Sequence, residues 1–344
     1  MATNRQVVLR SRPDGNPVPD NFAMAEADIP VPGEGEMLIR NLYISMEPAI
    51  RGWLDDNDAN YFAPLAIGEK IRSPMVGRVV QSNNPGFAVG DIVFALLAWE
   101  DYSIASDATI VLQKLPVAAD MPLSYYVGPL GGSGLTGYIG LHEVGRMKVG
   151  DTVVMSAAMG AVGHIAAQVA KLRGCRVVGI LGSAEKARLA MEEYGYDAVV
   201  NYRDTDDLVG AIRAACPEGA DIFYDNVGGA TLDAMLVCMK DFGRIVSCGM
   251  IAGYNQSDTP PPVYNLWQMV ARQLEMKGFL LPAFADKIPE ALAAIEGWIR
   301  EGKIKVLENR RVGLAEAPAL FCDLMSGRTI GKTVLEIDLV DEAA

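Results

Sequence analysis

The fold of this chain is decided at residues 153–163, which read VVMSAAMGAVG. An apolar strand is followed by a turn with Gly160 and Gly163, and then by apolar residues at helical spacing over Val162–Leu172. This order matches the dinucleotide fingerprint, with Ala158 in the first glycine position, although a purely structural glycine turn is the alternative. Gly160 would let the backbone approach a diphosphate at the positive end of the helix near Val162, and Gly163 would let the helix pack close to its strand.

Downstream of this turn, apolar runs of strand length alternate with segments of helical period. The predicted strands are Thr152–Ala157, Arg176–Leu181, Ala198–Tyr202, Asp221–Asp225, Arg244–Cys248 and Glu275–Leu281. The predicted helices are Val162–Leu172, Lys186–Tyr194, Leu208–Ala215, Thr231–Met239 and Lys287–Arg300. Apolar strands separated by helices predict a doubly wound parallel sheet covered on both faces. We therefore expect a nucleotide-binding α/β domain over residues 128–312.

Upstream, from Val7 to about Pro116, short apolar runs are broken by Gly, Pro, Asn and Asp. Short strands at this spacing predict a mostly β domain. The C-terminal tail is too short to fold alone and ends in a strand-like run, Lys332–Leu339. We expect it to return to the first domain, which would then comprise residues 1–127 and 313–344.

The end of the second predicted strand bears on the choice of dinucleotide. An NAD site usually carries a carboxylate about 20 residues after the glycines, on the ribose 2′-hydroxyl. Here the strand ends without an acid and is followed by Ser183, Glu185 and Lys186. A hydroxyl and an ammonium favour the 2′-phosphate of NADPH. Two alternatives remain: Ser183 could be only a helix N-cap, and Glu185 could reach a 2′-hydroxyl if the strand runs longer.

Composition excludes several classes of function. The 344 residues carry 30 Lys and Arg against 43 Asp and Glu, for a net charge of −13, which argues against nucleic acid as a partner. Five widely spaced cysteines and two histidines predict neither a disulfide framework nor a metal site. The N-terminus lacks the apolar core of a signal peptide, and the apolar stretch Val153–Ala170 is interrupted by Gly, His and Gln. We expect a cytoplasmic protein without a membrane segment.

The whole chain resembles the zinc-independent medium-chain dehydrogenases/reductases, in the group of the leukotriene B4 dehydrogenase/prostaglandin reductase, 2-alkenal reductase and curcumin reductase. The segments that carry the resemblance are Ser45–Arg51, Gly134–Tyr138, Gly160–Gly163, Asn201–Tyr202, Tyr224–Gly229, Cys248–Asn255, Lys277–Phe279 and Gly331–Lys332. The resemblance implies a Rossmann-type domain and a GroES-like catalytic domain, with NADPH in the cleft between them. It also implies a homodimer formed through the nucleotide-binding domains.

Cofactor contacts follow from the resemblance, position by position. The residues that would hold the diphosphate are Gly160, Ala161, Val162 and Gly163. Lys186 and Tyr202, beside Ser183, would hold the 2′-phosphate, and Thr136 would lie near the nicotinamide. The remaining residues that would line the cofactor are Asn226, Cys248, Gly249, Met250, Ile251, Tyr254, Phe279, Leu280 and Leu281. Thr329 stands where the family usually has a cofactor-contacting Asn, so that contact is in doubt.

The same resemblance bears on the reaction. The segment Arg72–Gly77 lacks the Gly-His-Glu of the zinc-containing branch, and no cysteine cluster follows Trp99. Without a Lewis acid, reduction of a carbon–carbon double bond conjugated to a carbonyl is favoured. Hydride would go to the β-carbon of a small apolar enone or enal, while Tyr254 stabilises the enolate oxygen and Tyr61 contributes to the substrate site. Each tyrosine could instead be a packed aromatic side chain.

Other readings and departures remain open. The alternatives are an NADPH:quinone oxidoreductase and, in a different class, a non-catalytic NADPH-binding protein. Ala49 replaces a common family tyrosine, and Gly132-Ser133 replaces a Met-Pro pair in the loop before Thr136, so a wider pocket is expected. His142 and His164, both on predicted helices, are expected to be solvated rather than catalytic.

Overall fold

A computed structural model describes residues 3–57, 60, 62–256 and 259–338. The chain divides into two compact units. Unit 1 comprises Met1–Gly128, Glu308–Thr329 and Thr333–Ala344, and unit 2 comprises Pro129–Leu307 and Ile330–Lys332. Within the described residues, no helix is long and apolar enough to cross a membrane.

The regular elements follow in chain order. The strands are β1 (Thr3–Leu9), β2 (Phe22–Asp28), β3 (Glu36–Ser45), β4 (Arg72–Ser82), β5 (Ile92–Ala98), β6 (Tyr102–Ser106), β7 (Gln113–Lys114), β8 (Thr152–Ser156), β9 (Arg176–Leu181), β10 (Ala198–Asn201), β11 (Ala220–Asp225), β12 (Met239–Ser247), β13 (Glu275–Gly278), β14 (Glu308–Val312) and β15 (Lys332–Glu336). The α-helices are α1 (Gly132–Ile139), α2 (Gly163–Leu172), α3 (Ala184–Glu193), α4 (Leu208–Ala215), α5 (Gly229–Leu236), α6 (Ile251–Tyr254), α7 (Trp267–Ala271), α8 (Ile288–Arg300) and α9 (Ala317–Met325).

Unit 1 is mostly β-structure. Its larger sheet has the order β14-β15-β3-β4-β5-β7, with β6 also paired to β3, and β1 pairs with β2. Residues of β5 and β6 alternate between buried and half-buried, as strands with one face on a core do. Phe22, Trp99 and Phe321 pack together in that core. The strand predicted in the tail is β15, which pairs with β3 at Val334 and Ser45.

Unit 2 contains a six-stranded parallel sheet in the order β10-β9-β8-β11-β12-β13. The chain order reverses between β8 and β11, as in a doubly wound sheet, and every residue of β8 is buried. One core cluster includes residues of β8–β12 with α4 and α5. The predicted fold class, a doubly wound parallel sheet with a second, mostly β domain, is confirmed.

Three local predictions in unit 2 were wrong. The helix predicted over Thr231–Met239 is α5, which ends at Leu236, and β12 begins at Met239 rather than at Arg244. The register of β12 against β11 shifts after Met239, and Phe242 has a left-handed φ of 62°. This bulge interrupts the strand pattern, so only its second half looked like a strand. The residues expected in a loop before Thr136 form the first turn of α1.

Candidate functional site

The carboxyl ends of β8 and β11 meet where the strand order of unit 2 reverses, the position at which open α/β sheets bind ligands. The Ser156 hydroxyl donates to Asp225 Oδ1 at 2.8 Å and accepts the backbone N–H of Asn226 at 2.8 Å. The Asn226 side chain donates back to the Ser156 carbonyl at 2.9 Å. Burial raises the pKa of Asp225. These bonds place Asn226, one of the predicted cofactor residues, at the crevice.

Three carbonyls of the glycine turn after β8 accept hydrogen bonds from donors of the same unit. The Ala158 carbonyl accepts the Tyr196 hydroxyl at 2.7 Å, and the Met159 carbonyl accepts the Gly331 N–H at 2.8 Å. The Gly160 carbonyl accepts the His164 N–H at 3.1 Å and also contacts the His164 ring at 2.8 Å. In the described part of the chain, no acceptor meets the N–H groups of Ala161, Val162 and Gly163. A turn with occupied carbonyls and free N–H groups at a helix start fits a diphosphate.

Two positions in this turn depend on small residues. A Cβ on Gly163 would lie 2.5 Å from the Ala158 carbonyl oxygen and 2.7 Å from that of Ala157, so α2 can begin close to β8 only with glycine there. Ala158 stands in the first glycine position of the fingerprint, and its methyl packs against Gly179 of β9. A Cβ on Gly179 would come within 2.9 Å of that methyl, so glycine at 179 leaves room for alanine at 158. Ala157 has a left-handed φ of 49°, a conformation uncommon outside glycine.

The ends of β9 and β10 bring together the residues predicted for a 2′-phosphate. Ser183 is the N-cap of α3 and accepts the Lys186 N–H at 3.2 Å. The Tyr202 ring lies over Gly182, whose added Cβ would meet the Tyr202 hydroxyl at 2.6 Å. Burial and the neighbouring Arg203 lower the pKa of Lys186. Ser183 therefore caps α3, and it lies with Lys186 and Tyr202 at the same end of the sheet.

Arg203 is the residue that the sequence analysis missed here. Its guanidinium lies 5.8 Å from the centre of the Tyr202 ring, which adds a second cation to this end of the sheet. Arg203 directly follows Tyr202 in the sequence, and this adjacency could have indicated a second cation near a 2′-phosphate. Glu185 lies exposed in the first turn of α3, and β9 ends at Leu181, so the longer strand considered for a 2′-hydroxyl contact is not observed.

Tyr254 lies in α6, after the end of β12. Its hydroxyl accepts the Met250 N–H at 3.4 Å and lies 3.4 Å from where a Cβ of Gly249 would be. Burial raises the pKa of Tyr254 and raises that of the Cys248 thiol to about 12. Both groups are therefore neutral near neutral pH, and the hydroxyl keeps a proton that it can donate. Ile251, the first residue of α6, is half-buried.

Thr136 of α1 and Phe279, which follows β13, were both predicted to line the cofactor, and they lie near Gly140. The Tyr224 hydroxyl donates to the Thr136 carbonyl at 2.8 Å, and a Cβ on Gly140 would meet both Tyr224 and Phe279 within 3 Å. Phe279 packs edge-on against Phe284, while Leu280 is exposed and Leu281 begins a 3₁₀ turn. Thr136, Tyr224 and Phe279 are thus held together within unit 2.

Two doubtful positions belong to unit 1, and the predicted Tyr61 lies outside the described residues. Thr329 is half-buried in the segment after α9, and Ala49 lies in a 3₁₀ helix, Pro48–Trp53. Across the described ranges, no group of three or more His, Cys, Asp or Glu side chains could hold a metal ion.

The expectation of solvated histidines was wrong for His164. Its side chain is fully buried. Both ring nitrogens have partners there: the ring bonds to the Gly160 carbonyl, and Nε2 accepts the Leu307 N–H at 3.4 Å. His142 lies in a π-helical turn, Gly140–Val144, where its ring stacks on Tyr138 at 4.0 Å and burial lowers its pKa.

Comparison with known proteins extends these observations. Residues 5–112 match a family model described as the N-terminal domain of oxidoreductase, and residues 161–297 match one described as zinc-binding dehydrogenase. The chain is 39% identical to the NADPH-dependent curcumin reductase of Escherichia coli K12 over 97% of both chains. It is 39% identical to the NADP⁺-dependent 2-alkenal reductase of Nicotiana tabacum, over 97% of this chain and 98% of that one. The crystal structure of CurA from Vibrio vulnificus in complex with NADPH is 35% identical, with a TM-score of 0.89 over 97% of this chain and 99% of that one.

Proposed function

Because the chain belongs to the zinc-independent medium-chain dehydrogenases/reductases, in the group of the curcumin and 2-alkenal reductases, we propose that it uses NADPH to reduce the carbon–carbon double bond of α,β-unsaturated ketones and aldehydes. The observation that carries the proposal is the pairing of two features in unit 2. A turn with free N–H groups fits a diphosphate, and Lys186 with Arg203 fits an additional phosphate.

When bound, NADPH would supply the hydride for this reduction, and the β-carbon of the substrate would receive it. Negative charge then collects on the carbonyl oxygen as an enolate, which a hydrogen-bond donor must stabilise. Tyr254 takes this role, since burial raises the pKa of its half-buried hydroxyl and keeps it protonated, and the hydroxyl lies beside Gly249, after the end of β12. The α-carbon receives a proton from solvent or from Tyr254, which completes addition of H₂ across the double bond.

The family's second substrate tyrosine is proposed at Tyr61 by resemblance. The small side chains at Ala49 and Gly132 replace bulkier family residues and are consistent with bulky or extended apolar substrates.

The test is cofactor consumption by the purified protein with a medium-chain enone, an enal and a small quinone, with mass identification of each product. We expect oxidation of NADPH in preference to NADH and a product two hydrogens heavier than the enone. A clear preference for the quinone would replace the proposal with a quinone reductase. Cofactor binding without turnover of any substrate would indicate a non-catalytic NADPH-binding protein.

The role of Tyr254 is tested by Tyr254→Phe, which deletes one oxyanion donor and keeps the ring. We expect kcat for enone reduction to fall by about 10²–10³, with the dissociation constant of NADPH little changed. Tyr264→Phe is the matched control, because Tyr264 lies in the same unit and is 81% exposed. An unchanged kcat in Tyr254→Phe would remove this residue from the mechanism.

A homodimer is proposed through the β13 edge of unit 2. β13 is the last strand of the parallel sheet, and beside it Trp267 and Val270 of α7 are 69% and 65% exposed. Light scattering after gel filtration is expected to give twice the chain mass for the native protein and one chain mass for Trp267→Glu. A monomeric native protein would refute this assembly.

Cytoplasmic location is proposed because all five cysteines are free.

A further inference from the structure

His164 is a buried titratable side chain that the proposed mechanism does not use. It lies in the first turn of α2, one residue after Gly163, and its side chain has no exposed surface. Ring nitrogen Nδ1 lies 2.8 Å from the Gly160 carbonyl oxygen, and Nε2 lies 3.4 Å from the Leu307 backbone nitrogen.

These two partners determine the tautomer of the ring. The carbonyl oxygen of Gly160 can only accept, so Nδ1 carries the proton, while the Leu307 N–H can only donate, so Nε2 carries the lone pair. Burial and the nearby Lys332 lower the pKa of His164 to about 4, which keeps this neutral tautomer at neutral pH.

The ring is held in place by the rest of its helix face. Gln168, one turn further along α2, accepts the Lys305 N–H at 2.7 Å and donates to the Lys305 carbonyl at 2.9 Å. Segment 305–307 is thereby bonded to α2 at both Gln168 and His164. A ring anchored on this side presents its Nδ1–H to the glycine turn in one orientation.

We propose that His164 is a positioning residue for the cofactor diphosphate: its Nδ1–H keeps the Gly160 carbonyl occupied, so that this oxygen does not turn toward an anion bound by the N–H groups of Ala161, Val162 and Gly163. The inference rests on the proposed function, since it requires a dinucleotide at this turn. The backbone N–H of His164 bonds to the same oxygen at 3.1 Å, so the ring adds a second, shorter contact at 2.8 Å. A Gly160 carbonyl turned outward would place its partial negative charge against the diphosphate. Tyr196 does the same for the Ala158 carbonyl from the other side of the turn.

The test compares two substitutions that each keep one half of the imidazole. His164→Asn places an amide N–H near the position of Nδ1 and keeps a donor for Gly160, whereas His164→Gln reaches toward the position of Nε2 and loses that donor. We expect the dissociation constant of NADPH, measured by fluorescence titration, to rise about 3- to 10-fold in His164→Gln and to stay near the native value in His164→Asn. Adenosine 2′-monophosphate, which has no diphosphate, should bind all forms equally.

Because both variants alter a buried ring, their melting temperatures are measured alongside. If His164→Gln does not fold, Tyr196→Phe is titrated in its place, with the same selective loss of NADPH affinity expected. Parallel losses of NADPH and adenosine 2′-monophosphate, or equal NADPH affinities in the Asn and Gln variants, would overturn the inference. Those outcomes leave the proposed function intact, whereas native protein that binds NADPH but reduces no enone would defeat the proposed function alone.

Discussion

The two phosphate ends of the candidate site are built differently, although both lie in unit 2 at the carboxyl ends of neighbouring strands. At the end of β8, the groups available to an anion are backbone N–H groups of Ala161–Gly163. The side chains of Tyr196 and His164 are buried, and each is bonded to a carbonyl of the turn, Ala158 and Gly160 respectively. At the ends of β9 and β10, the available groups are the side chains of Lys186 and Arg203.

From this difference we propose that the first end contributes affinity for any pyridine dinucleotide and the second contributes selectivity for NADPH. Every pyridine dinucleotide carries a diphosphate, so a backbone turn binds NADPH and NADH alike. Only NADPH carries the 2′-phosphate, so the cations beside Tyr202 bear on the choice between them. Substitutions at the first end should therefore weaken both cofactors, and substitutions at the second end should weaken only NADPH.

The largest effect is expected from Gly163→Ala. Its methyl would lie 2.5 Å from the Ala158 carbonyl oxygen, and backbone atoms cannot yield as a flexible side chain does. We expect NADPH and NADH affinities to fall together by about 100-fold, with a loss of about 1–3 kcal/mol in the free energy of unfolding. Fluorescence titration and denaturant unfolding measure the two quantities.

Gly297→Ala is the control for this substitution, because nothing lies within 4 Å of the added methyl in α8. Alanine there should leave both affinities unchanged and stabilise the helix by up to about 1 kcal/mol. A Gly163→Ala variant that lost affinity for NADPH but not for NADH would contradict the assignment of the glycine turn to the diphosphate.

Lys186→Ala should give the next largest effect. Removal of the ammonium is expected to raise the dissociation constant of NADPH by about 10- to 100-fold and leave that of NADH unchanged, since a charge-assisted bond to phosphate is lost. Arg188→Ala is the matched control: Arg188 is an exposed cation of the same helix that pairs with Glu192. Equal losses for both cofactors would contradict the assignment of Lys186 to the 2′-phosphate.

A pH titration also tests the role of the Lys186 charge in the preference for NADPH. Burial and Arg203 lower the pKa of Lys186, so its ammonium is charged below that pKa and loses its proton as pH rises through it. The preference for NADPH over NADH should therefore decline in alkaline solution at a lower pH than an unperturbed lysine would give. Binding of both cofactors across alkaline pH measures it, and a preference that does not change until the protein unfolds would argue against Lys186.

The smallest effect is expected from Arg203→Ala. Arg203 is exposed and lies over the Tyr202 ring, so solvent screens its charge, and NADPH affinity should fall only about 3-fold. The same substitution removes a neighbouring positive charge, so the alkaline decline in NADPH preference should move to higher pH. A decline that moves to lower pH would show that Arg203 does not act on Lys186.

Much of unit 2 could be predicted from local pattern. Helix α4 was predicted to the residue, and β8, β9 and β10 were predicted within one residue at their ends, because uninterrupted apolar runs and helical spacing are local signals. The first half of β12 was missed, since a bulge at Phe242 has no such signal.

The burial of His164 was missed for a different reason. Its partners are Gly160 four residues before it and Leu307 on a segment far along the chain, and no spacing rule reveals the second.

By itself, the sequence determined the order of strands and helices, the glycine turn and the cation at Lys186, because these depend on residues close together in the chain. Only the tertiary structure decided that Tyr196, His164 and Gly331 bond to the carbonyls of that turn, and that Arg203 lies near enough to Lys186 to lower its pKa. Tyr196 and Gly331 are distant in sequence from the turn, and the His164 ring depends on the distant Leu307 for its orientation. A buried donor is committed to a particular acceptor only when packing excludes water.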